Sequence, residues 1–254
     1  MSTPRVTVYD SLGSDYDRAF AVFLAHTDQK DKAHGWLMGA VGALVSRRVF
    51  IDAGAGTGKV TAWLTEEFGR TIAIEPNPHL RVHLERNCPS AEIVPTPILD
   101  CDFGGQADFV LVSHVFYYIP AGEWQTTLDR LASFLSPTGV LVIVLQNPET
   151  DCMGLVHHFH GQRFDLPGAC QEFQHRHAGA FDLQIETVAC HIETSDFAAA
   201  YTVAEFMLNL LPLEDPPARN DLDAYVRGKF AASEGGYRYS CSQDFLVIRR
   251  GRFQ

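Results

Sequence analysis

The sequence predicts an α/β fold with a mostly parallel sheet covered by helices on both faces. Between residues 49 and 147, short apolar runs alternate with amphipathic segments, a pattern typical of buried parallel strands joined by helices. The first run, Val49–Ala53, leads into a glycine-rich turn, and the second run, residues 71–75, ends in a carboxylate. Since such sheets bind ligands at the carboxyl ends of their strands, we expect a ligand site where these two features meet.

The other elements follow from the spacing of apolar residues along the chain. Two helices, one around residues 16–24 and one over 36–45, precede the sheet, with a polar stretch over 26–32 between them. The elements predicted next are a helix over 59–68, a helix over 78–87, a strand over 92–94, a strand over 108–115, a helix over 122–135 and a strand over 139–145. The C-terminal part is predicted as helix and loop over 148–183, a strand over 184–192, a helix over 197–211, a helix over 221–232 and a strand over 237–248.

The glycine turn allows three interpretations, and its spacing favours one of them. A dinucleotide-binding fingerprint needs a small residue where Lys59 stands, because a bulky side chain obstructs close packing of helix on strand. A phosphate-binding P-loop needs a glycine in place of Ala53 and a hydroxyl in place of Val60. The pattern that remains, Asp-Ala-Gly-x-Gly-x-Gly from Asp52 to Gly58, resembles the first motif of the class I S-adenosylmethionine-dependent methyltransferases.

This resemblance implies S-adenosylmethionine as the cofactor, and several side chains are candidates for holding it. Glu75 lies about 20 residues beyond the first turn glycine, where a carboxylate can accept both ribose hydroxyls; capping the next helix is its alternative role. Asp52 either orients the turn or caps it. Asp100 or Asp102 can accept the adenine amino group, and we favour Asp100. The predicted cofactor-binding residues are Asp52, Gly54, Ala55, Gly56, Glu75, Asp100 and Ser113.

The residues after the fourth strand are candidates for the chemistry itself. Methyl transfer from a sulfonium is an in-line displacement that needs oriented polar and aromatic groups and no metal. We predict His114 and Tyr117 as catalytic residues, since His114 ends the strand and an aromatic face can hold a cation. The run from His157 to His160 has the residues of a zinc site but lacks a second matching pair, so we predict no metal.

Composition limits the possible partners. The formal net charge of -11 argues against binding to nucleic acid or an anionic membrane, because both carry negative charge. The six cysteines are scattered without a Cys-x-x-Cys motif, which is typical of a reduced cytosolic protein. There is no apolar leader at the start and no apolar run of about 18 residues. We therefore predict a cytoplasmic protein without a nucleic-acid or membrane partner.

The chain also resembles one methyltransferase family, histamine N-methyltransferase, which methylates a small molecule and has the class I fold. The resemblance is carried in chain order by residues 16–26, 75–76, Phe116–Tyr118, 163–164, 170–171, 195–197 and 245–248. That family holds its substrate through a glutamate, a glutamine and an asparagine, and the matching positions here are Gln29, His114 and Cys241. With Tyr16, these form the predicted substrate-binding set, and the replaced residues imply an acceptor related to histamine but different from it.

Together, these features predict a small-molecule methyltransferase of the Rossmann-like class I fold, with a seven-stranded mostly parallel sheet and a helical substrate cap. A single domain over 1–254 would comprise an N-terminal cap (1–47), a cofactor-binding core (48–147) and cap insertions (148–235). The predicted acceptor atom is an amine or imidazole-type nitrogen. The alternatives are methylation of a phenol or carboxylate oxygen, with His114 as base and Arg163 beside a carboxylate, and a protein that binds the cofactor or a metabolite without turnover.

Overall fold

The computed structural model describes residues 4–10 and 13–251 of the chain, which pack into two compact units. The first unit contains the described residues up to Lys32, together with Gln146–Phe164 and Val188–Gln243. The second unit contains Ala33–Leu145, Asp165–Thr187 and the described residues from Asp244 onward. The predicted cap and core boundaries at residues 47, 147 and 235 differ from these divisions, and they stay predictions.

The second unit is built on a seven-stranded sheet. The strands of the described residues, in both units, are β1 (Val49–Ala53), β2 (Arg70–Ile74), β3 (Glu92–Val94), β4 (Ala107–Ser113), β5 (Leu135–Gln146), β6 (Phe181–Val188), β7 (His191–Thr194), β8 (Tyr237–Ser240) and β9 (Gln243–Arg250). The sheet order is β3-β2-β1-β4-β5-β9-β6. β1 pairs in parallel with β2 and β4, β2 with β3, and β4 with β5. The predicted Rossmann-like sheet is therefore confirmed.

The central strands are mostly apolar because both of their faces are covered. Four of the five residues of β1 and six of the seven of β4 are buried. On one face, the rings of Phe50, Phe68 and Phe109 lie 5.3 to 6.0 Å apart, within the range of favourable aromatic pairs. This packing fixes the ends of β1 and β4, from which the candidate site projects.

Helices connect the strands and carry local signals that set their ends. The helices are α1 (Ser14–His26), α2 (Gln29–Gly42), α3 (Thr61–Leu64), α4 (Pro78–Asn87), α5 (Trp124–Ser133), α6 (Asp151–His160), α7 (Leu166–Arg176), α8 (Phe197–Leu208) and α9 (Arg219–Lys229). α4 begins where predicted, because Pro78 suits the first helical position and the side chain of Asn77 accepts the N–H of His79 at 2.9 Å. The helix predicted over 59–68 is shorter, since α3 passes into a 3₁₀ turn at Thr65–Glu67.

The first unit combines α1, α6, α8 and α9 with an antiparallel pair formed by β7 and β8. α1 packs on α8 through aromatic rings, with the centroids of Tyr16, Phe20 and Phe23 each 5.4 to 5.5 Å from that of Phe206. The segment before α1 is tied to α8 by side chains. The buried carboxylate of Glu205 accepts the backbone N–H of Thr7 at 2.9 Å and the hydroxyl of Tyr9 at 2.7 Å.

Two predicted strands are wrong in the same way. The strand predicted over 184–192 is divided between β6 and β7, and the strand predicted over 237–248 between β8 and β9. In each case the two parts belong to different sheets. The breaks face each other in the first unit, where the N–H of Cys241 donates to the carbonyl of Cys190 at 2.9 Å and the hydroxyl of Ser242 accepts the N–H of Cys190 at 3.3 Å. Neither segment contains a glycine or a proline that would mark the break.

The start of α2 is also earlier than predicted. The polar stretch over 26–32 was expected to separate two helices, yet α2 begins at Gln29. The hydroxyl of Thr27 accepts the N–H of Gln29 at 3.2 Å, as an N-terminal capping group does. Asp28 and Lys32 then form an ion pair one turn apart, at 2.7 Å. Local polar contacts therefore supply the first turn of this helix in place of apolar packing.

Candidate functional site

The glycine turn after β1 adopts the backbone that its sequence requires. Gly54, Gly56 and Gly58 have φ values of 88°, 57° and 81°, a region that side chains with a Cβ rarely occupy. The N–H groups of Gly54 and Ala55 both donate to the carbonyl of Ile74, at 2.8 and 3.1 Å. These bonds anchor the start of the turn to the end of β2.

Gly54 and Gly56, the first two glycines of the turn, have different surroundings. A Cβ on Gly54 would lie 2.3 Å from Cγ2 of Val115, so close packing excludes any side chain there. A Cβ on Gly56 would meet no atom within 4 Å. The space beside Gly56 is therefore open.

Glu75 lies directly beside that space and is held by backbone groups. Its side chain accepts the N–H of Gly56 on Oε2 and the N–H of Asn77 on Oε1, both at 2.8 Å. The residue is only 5% exposed. Each carboxylate oxygen can accept a second hydrogen bond, so two further donors can be taken up. The side chain that caps α4 is that of Asn77, so Glu75 does not serve as this cap.

α4 supports the turn and the end of β2 through side chains that the sequence analysis missed. Arg81 donates through Nη1 to the carbonyls of Glu75 and Pro76, at 3.1 and 2.6 Å. The amide of Asn87 donates to the carbonyl of Thr57 at 2.7 Å. No motif marks such contacts, because the acceptors are backbone carbonyls and any residue supplies one.

Asp52, at the end of β1, connects the sheet to the start of α3. Its carboxylate is buried and accepts the hydroxyl of Thr61 at 2.6 Å. Burial raises the pKa of Asp52 to about 7, and the charge of Glu75 adds to the effect, while the bond from Thr61 opposes it. Asp52 therefore orients the elements around the turn from beneath it.

The two carboxylates after β3 have different surroundings. Asp100 ends a 3₁₀ turn, Ile98–Asp100, and is exposed. Asp102 is also exposed, but its carboxylate accepts the N–H of Gly104 at 3.1 Å and so closes a local turn. Asp102 therefore has a local structural role, and the preference for Asp100 as the ligand-binding carboxylate stays a prediction.

The end of β4 carries the only residue other than glycine with a positive φ in the described part of the chain. His114 has φ 59°, and its N–H donates to the carbonyl of Val144 at 2.9 Å. Its imidazole stacks on the ring of Tyr117, with centroids 5.9 Å apart and planes at 23°. Ser113, just before it, is half-buried. A left-handed backbone at a bulky residue costs on the order of 1–3 kcal/mol, and such strain concentrates at functional sites.

The other predicted substrate-binding residues belong to the first unit, where two of them are in contact. The amide of Gln29 donates to the carbonyl of Cys241 at 3.1 Å, and both residues are buried. The sulfur of Cys241 lies 3.4 Å from the hydroxyl of Thr27, which the sequence analysis did not single out. Burial raises the pKa of Cys241 to about 12, so its thiol stays protonated. Tyr16 packs against Phe206.

The histidine-rich helix α6 is engaged in packing. The ring of His158 lies 4.6 Å from that of Phe159 and 4.9 Å from that of Tyr225, and a ring nitrogen of His160 lies 2.8 Å from the carbonyl oxygen of Leu208. Among residues 4–10 and 13–251, no three His, Cys, Asp or Glu side chains are grouped as metal ligands. No helix in that part of the chain combines the length and the hydropathy needed to cross a bilayer.

Comparison with known proteins assigns the larger part of the chain to one family. A family profile described as "Methyltransferase domain" matches residues 23–182. A protein of Alkaliphilus oremlandii strain OhILAs, described as an uncharacterized methyltransferase, is 25% identical over 139 residues. That alignment covers 54% of this chain and 64% of the relative, so the chain spans less than two thirds of the relative's length.

Solved structures share the fold at low sequence identity. The YcgJ protein of Bacillus subtilis is 10% identical with a TM-score of 0.61, covering 85% of this chain and 97% of that one. The N-methyltransferase NodS of Bradyrhizobium japonicum WM9, solved with S-adenosyl-L-homocysteine, is 13% identical with a TM-score of 0.57. The NodS alignment covers 95% of this chain and 100% of that one.

Proposed function

This chain belongs to the methyltransferase-domain family, and from that premise we propose that it methylates a small molecule at a nitrogen, such as an amine or an imidazole. The cofactor is S-adenosylmethionine. It supplies an electrophilic methyl on a sulfonium, and transfer to the acceptor's lone pair leaves S-adenosylhomocysteine. The observation that carries the proposal is the buried Glu75 carboxylate, fixed by the N–H of Gly56 beside an open space.

The residues of the second unit suit a nucleoside with a charged tail. Glu75 accepts the ribose hydroxyls on the two oxygens that already bind Gly56 and Asn77. Asp100, the carboxylate that the sequence favours, accepts the adenine amino group, and Asp102 closes the neighbouring turn through the N–H of Gly104. Gly54, Ala55 and Gly56 present the backbone of the turn, and Asp52 and Ser113 lie at the strand ends behind them.

We propose that His114 orients the acceptor, with Tyr117 as its aromatic support. An amine must lose or lack a proton to attack, and a neutral imidazole can accept that proton or hold the nitrogen by a hydrogen bond. Tyr117 is 7% exposed and stacks on the imidazole of His114. This contact restricts the orientations that the imidazole can adopt. Gln29, Cys241 and Tyr16 complete the proposed substrate-binding set.

Oxygen methylation is the second candidate, and one contact weighs against its carboxylate form. Arg163 was the arginine expected beside a carboxylate acceptor, yet its guanidinium forms an ion pair with Glu149. A phenol acceptor, deprotonated by His114, remains the stronger oxygen alternative. The third candidate, binding without turnover, follows from the replacement of the residues that hold histamine in the family that the sequence resembles.

We further propose that the protein has no nucleic-acid or membrane partner and that it works in the cytoplasm. The formal net charge of -11 opposes both polyanionic partners. Six free cysteines, all buried, suit a reducing compartment.

Product analysis on a mixed acceptor panel tests these proposals. The protein is incubated with S-adenosylmethionine and separate pools of amines, imidazoles, phenols and carboxylates, and formation of S-adenosylhomocysteine is measured with and without each pool. We expect product with the nitrogen pools and none with the Gly56→Val variant. Product with phenols alone would overturn the nitrogen assignment. Tight cofactor binding without product from any pool would favour the binding-only alternative.

A further inference from the structure

The loop after β3 is held in place by helix α5, and the contact runs through Arg130. The guanidinium of Arg130 donates through Nη2 to the carbonyl of Cys101 and lies 5.1 Å from the ring centre of Phe134. Cys101 is buried and stands between Asp100 and Asp102. One side chain of α5 therefore fixes the backbone directly beside the carboxylate that we assign to adenine.

A second contact strengthens the same anchor. The ring of Phe103 meets the ring of Phe134 edge to face, at 6.2 Å and 88°. The guanidinium of Arg70 also lies over Phe103, 5.5 Å from the centre of its ring. Gly105 has to be small, since a Cβ there would lie 2.8 Å from the Phe103 ring. The loop is thus clamped on both sides of Asp102, by a hydrogen bond at Cys101 and by ring packing at Phe103.

Arg130 holds the loop through a hydrogen bond from its Nη2 nitrogen. Its Nε is buried and has no hydrogen-bond partner among residues 4–10 and 13–251. The Nη2 bond to Cys101 is therefore the polar link between α5 and the loop. Removing it frees a peptide carbonyl in a buried position, and the neighbouring residues must shift to satisfy that group.

We propose that Arg130 is a positioning residue that sets Asp100 for recognition of the adenine amino group. This inference rests on the proposed function, because it takes Asp100 as the adenine acceptor. An adenine amino group donates to a carboxylate, whereas unsubstituted purine, which lacks that group, has no donor at this edge of the base. Arg130 therefore acts on cofactor selectivity through Asp100, without touching the cofactor itself.

Calorimetry with two ligands tests the proposal. S-adenosylhomocysteine and its analogue with unsubstituted purine in place of adenine, which differ only in the amino group of the base, are titrated into the wild type and into Asp100→Asn, Arg130→Met and Arg130→Lys. We expect the wild type to prefer the adenosyl ligand about tenfold or more, as for a hydrogen bond to a charged group. Asp100→Asn and Arg130→Met should lose most of that preference, while Arg130→Lys, which keeps a charged donor, should retain part of it.

The matched control is Arg176→Met. Arg176 forms an ion pair at 2.7 Å with Asp129, the residue before Arg130 on the same helix, but it does not hold the loop. This variant should keep the wild-type preference. Arg130→Gln is measured beside Arg130→Met, so that poor folding of one variant does not decide the outcome.

Three results would count against the inference, at different levels. Equal weakening of both ligands in the Arg130 variants would show a general structural role and overturn it. A wild type that binds both ligands equally would remove the adenine role of Asp100, and the inference with it. A wild type that binds neither ligand would contradict the proposed function itself.

Discussion

The backbone N–H of Gly56 donates to the carboxylate of Glu75 over 2.8 Å, which joins the glycine turn to the end of β2. The second oxygen of the same carboxylate accepts the N–H of Asn77. Both oxygens are thus oriented before any ligand is bound. A ligand that uses them avoids part of the ordering cost that a mobile side chain would add.

We predict that Glu75→Ala weakens the binding of S-adenosylhomocysteine by roughly 5- to 150-fold. The variant leaves ribose hydroxyls without acceptors in a buried site, at a cost of about 1–3 kcal/mol. Calorimetry measures the change, and Glu85→Ala, which removes an exposed carboxylate from α4, is the control and should bind normally. Unchanged affinity in Glu75→Ala would contradict the ribose assignment.

Gly56→Val should abolish cofactor binding while leaving the protein folded. A valine at position 56 is strained by the positive φ, but its side chain meets no neighbouring protein atom. It enters the open space that we assign to the cofactor, so it should block cofactor binding. Gly179→Val is matched to it, because Gly179 also has a positive φ, of 80°, with no atom within 4 Å of a built Cβ. If both variants lose the same stability and both bind the cofactor, the turn is not the binding loop.

His114→Asn should lower kcat by roughly 100-fold or more if the imidazole takes a proton, with cofactor affinity little changed. Asparagine tolerates the left-handed backbone, so this variant removes the imidazole without adding strain. A smaller loss, seen mainly in KM, is expected if His114 only positions a neutral amine. Wild-type turnover by His114→Ala would exclude the residue from the site.

His114→Gly tests the strain at the same position. Glycine adopts φ 59° without a Cβ clash, so we expect the variant to gain about 1 kcal/mol of stability while losing turnover. Chemical denaturation of the unliganded protein measures the first effect and methyl-transfer kinetics the second. A less stable His114→Gly variant would show that the imidazole contacts outweigh the backbone strain.

The stability of the unliganded protein should fall between about pH 4 and pH 7 because of Asp52. Its pKa is raised to about 7 by burial, so over this range the folded state keeps a proton that the unfolded state releases. The contribution of Asp52 to the free energy of unfolding is fully present below the ordinary aspartate pKa. It is lost as pH rises through 7, by on the order of 4 kcal/mol. Asp52→Asn should remove this dependence, as measured by denaturation at each pH.

Asp108 supplies the opposite case and a control for Asp52. Burial alone would raise its pKa, but hydrogen bonds from Arg48, Ser46 and Ser136 outweigh burial and lower the pKa to about 2. Its contribution to stability is therefore present above about pH 4 and is lost as pH falls toward 2. Asp108→Asn should destabilise the protein at pH 7, where Asp52→Asn stabilises it.

The parts of the fold that local signals determine could be predicted from the sequence. The bounds of β1 and α4 match, since an apolar run meets a glycine turn in one and Asn77 with Pro78 starts the other. The division of two predicted strands at Cys190 and Cys241 could not be predicted. Neither segment contains a glycine or a proline, and the choice of sheet depends on partners far away in the chain.

The candidate site also has some features that could be predicted from the sequence and others that could not. The proximity of the glycine turn and Glu75 follows from the pairing of β1 with β2, which the βαβ pattern implies. The contacts of Arg81, Asn87 and Arg130 with backbone carbonyls have no sequence signature, because their acceptors are not side chains. The roles assigned to the individual site residues stay predictions until the variants are measured.

The position of β9 in the sheet means that the sheet stays incomplete until the end of the chain is synthesised. β9 lies between β5 and β6 but is the last to be synthesised of the nine strands in the described part of the chain, at Gln243–Arg250. Until it leaves the ribosome, β5 and β6 lack the strand that joins them, and each presents an open edge to other chains. The glycine turn and Glu75 are complete much earlier, so a chain cut short before β9 would carry them on an aggregation-prone sheet.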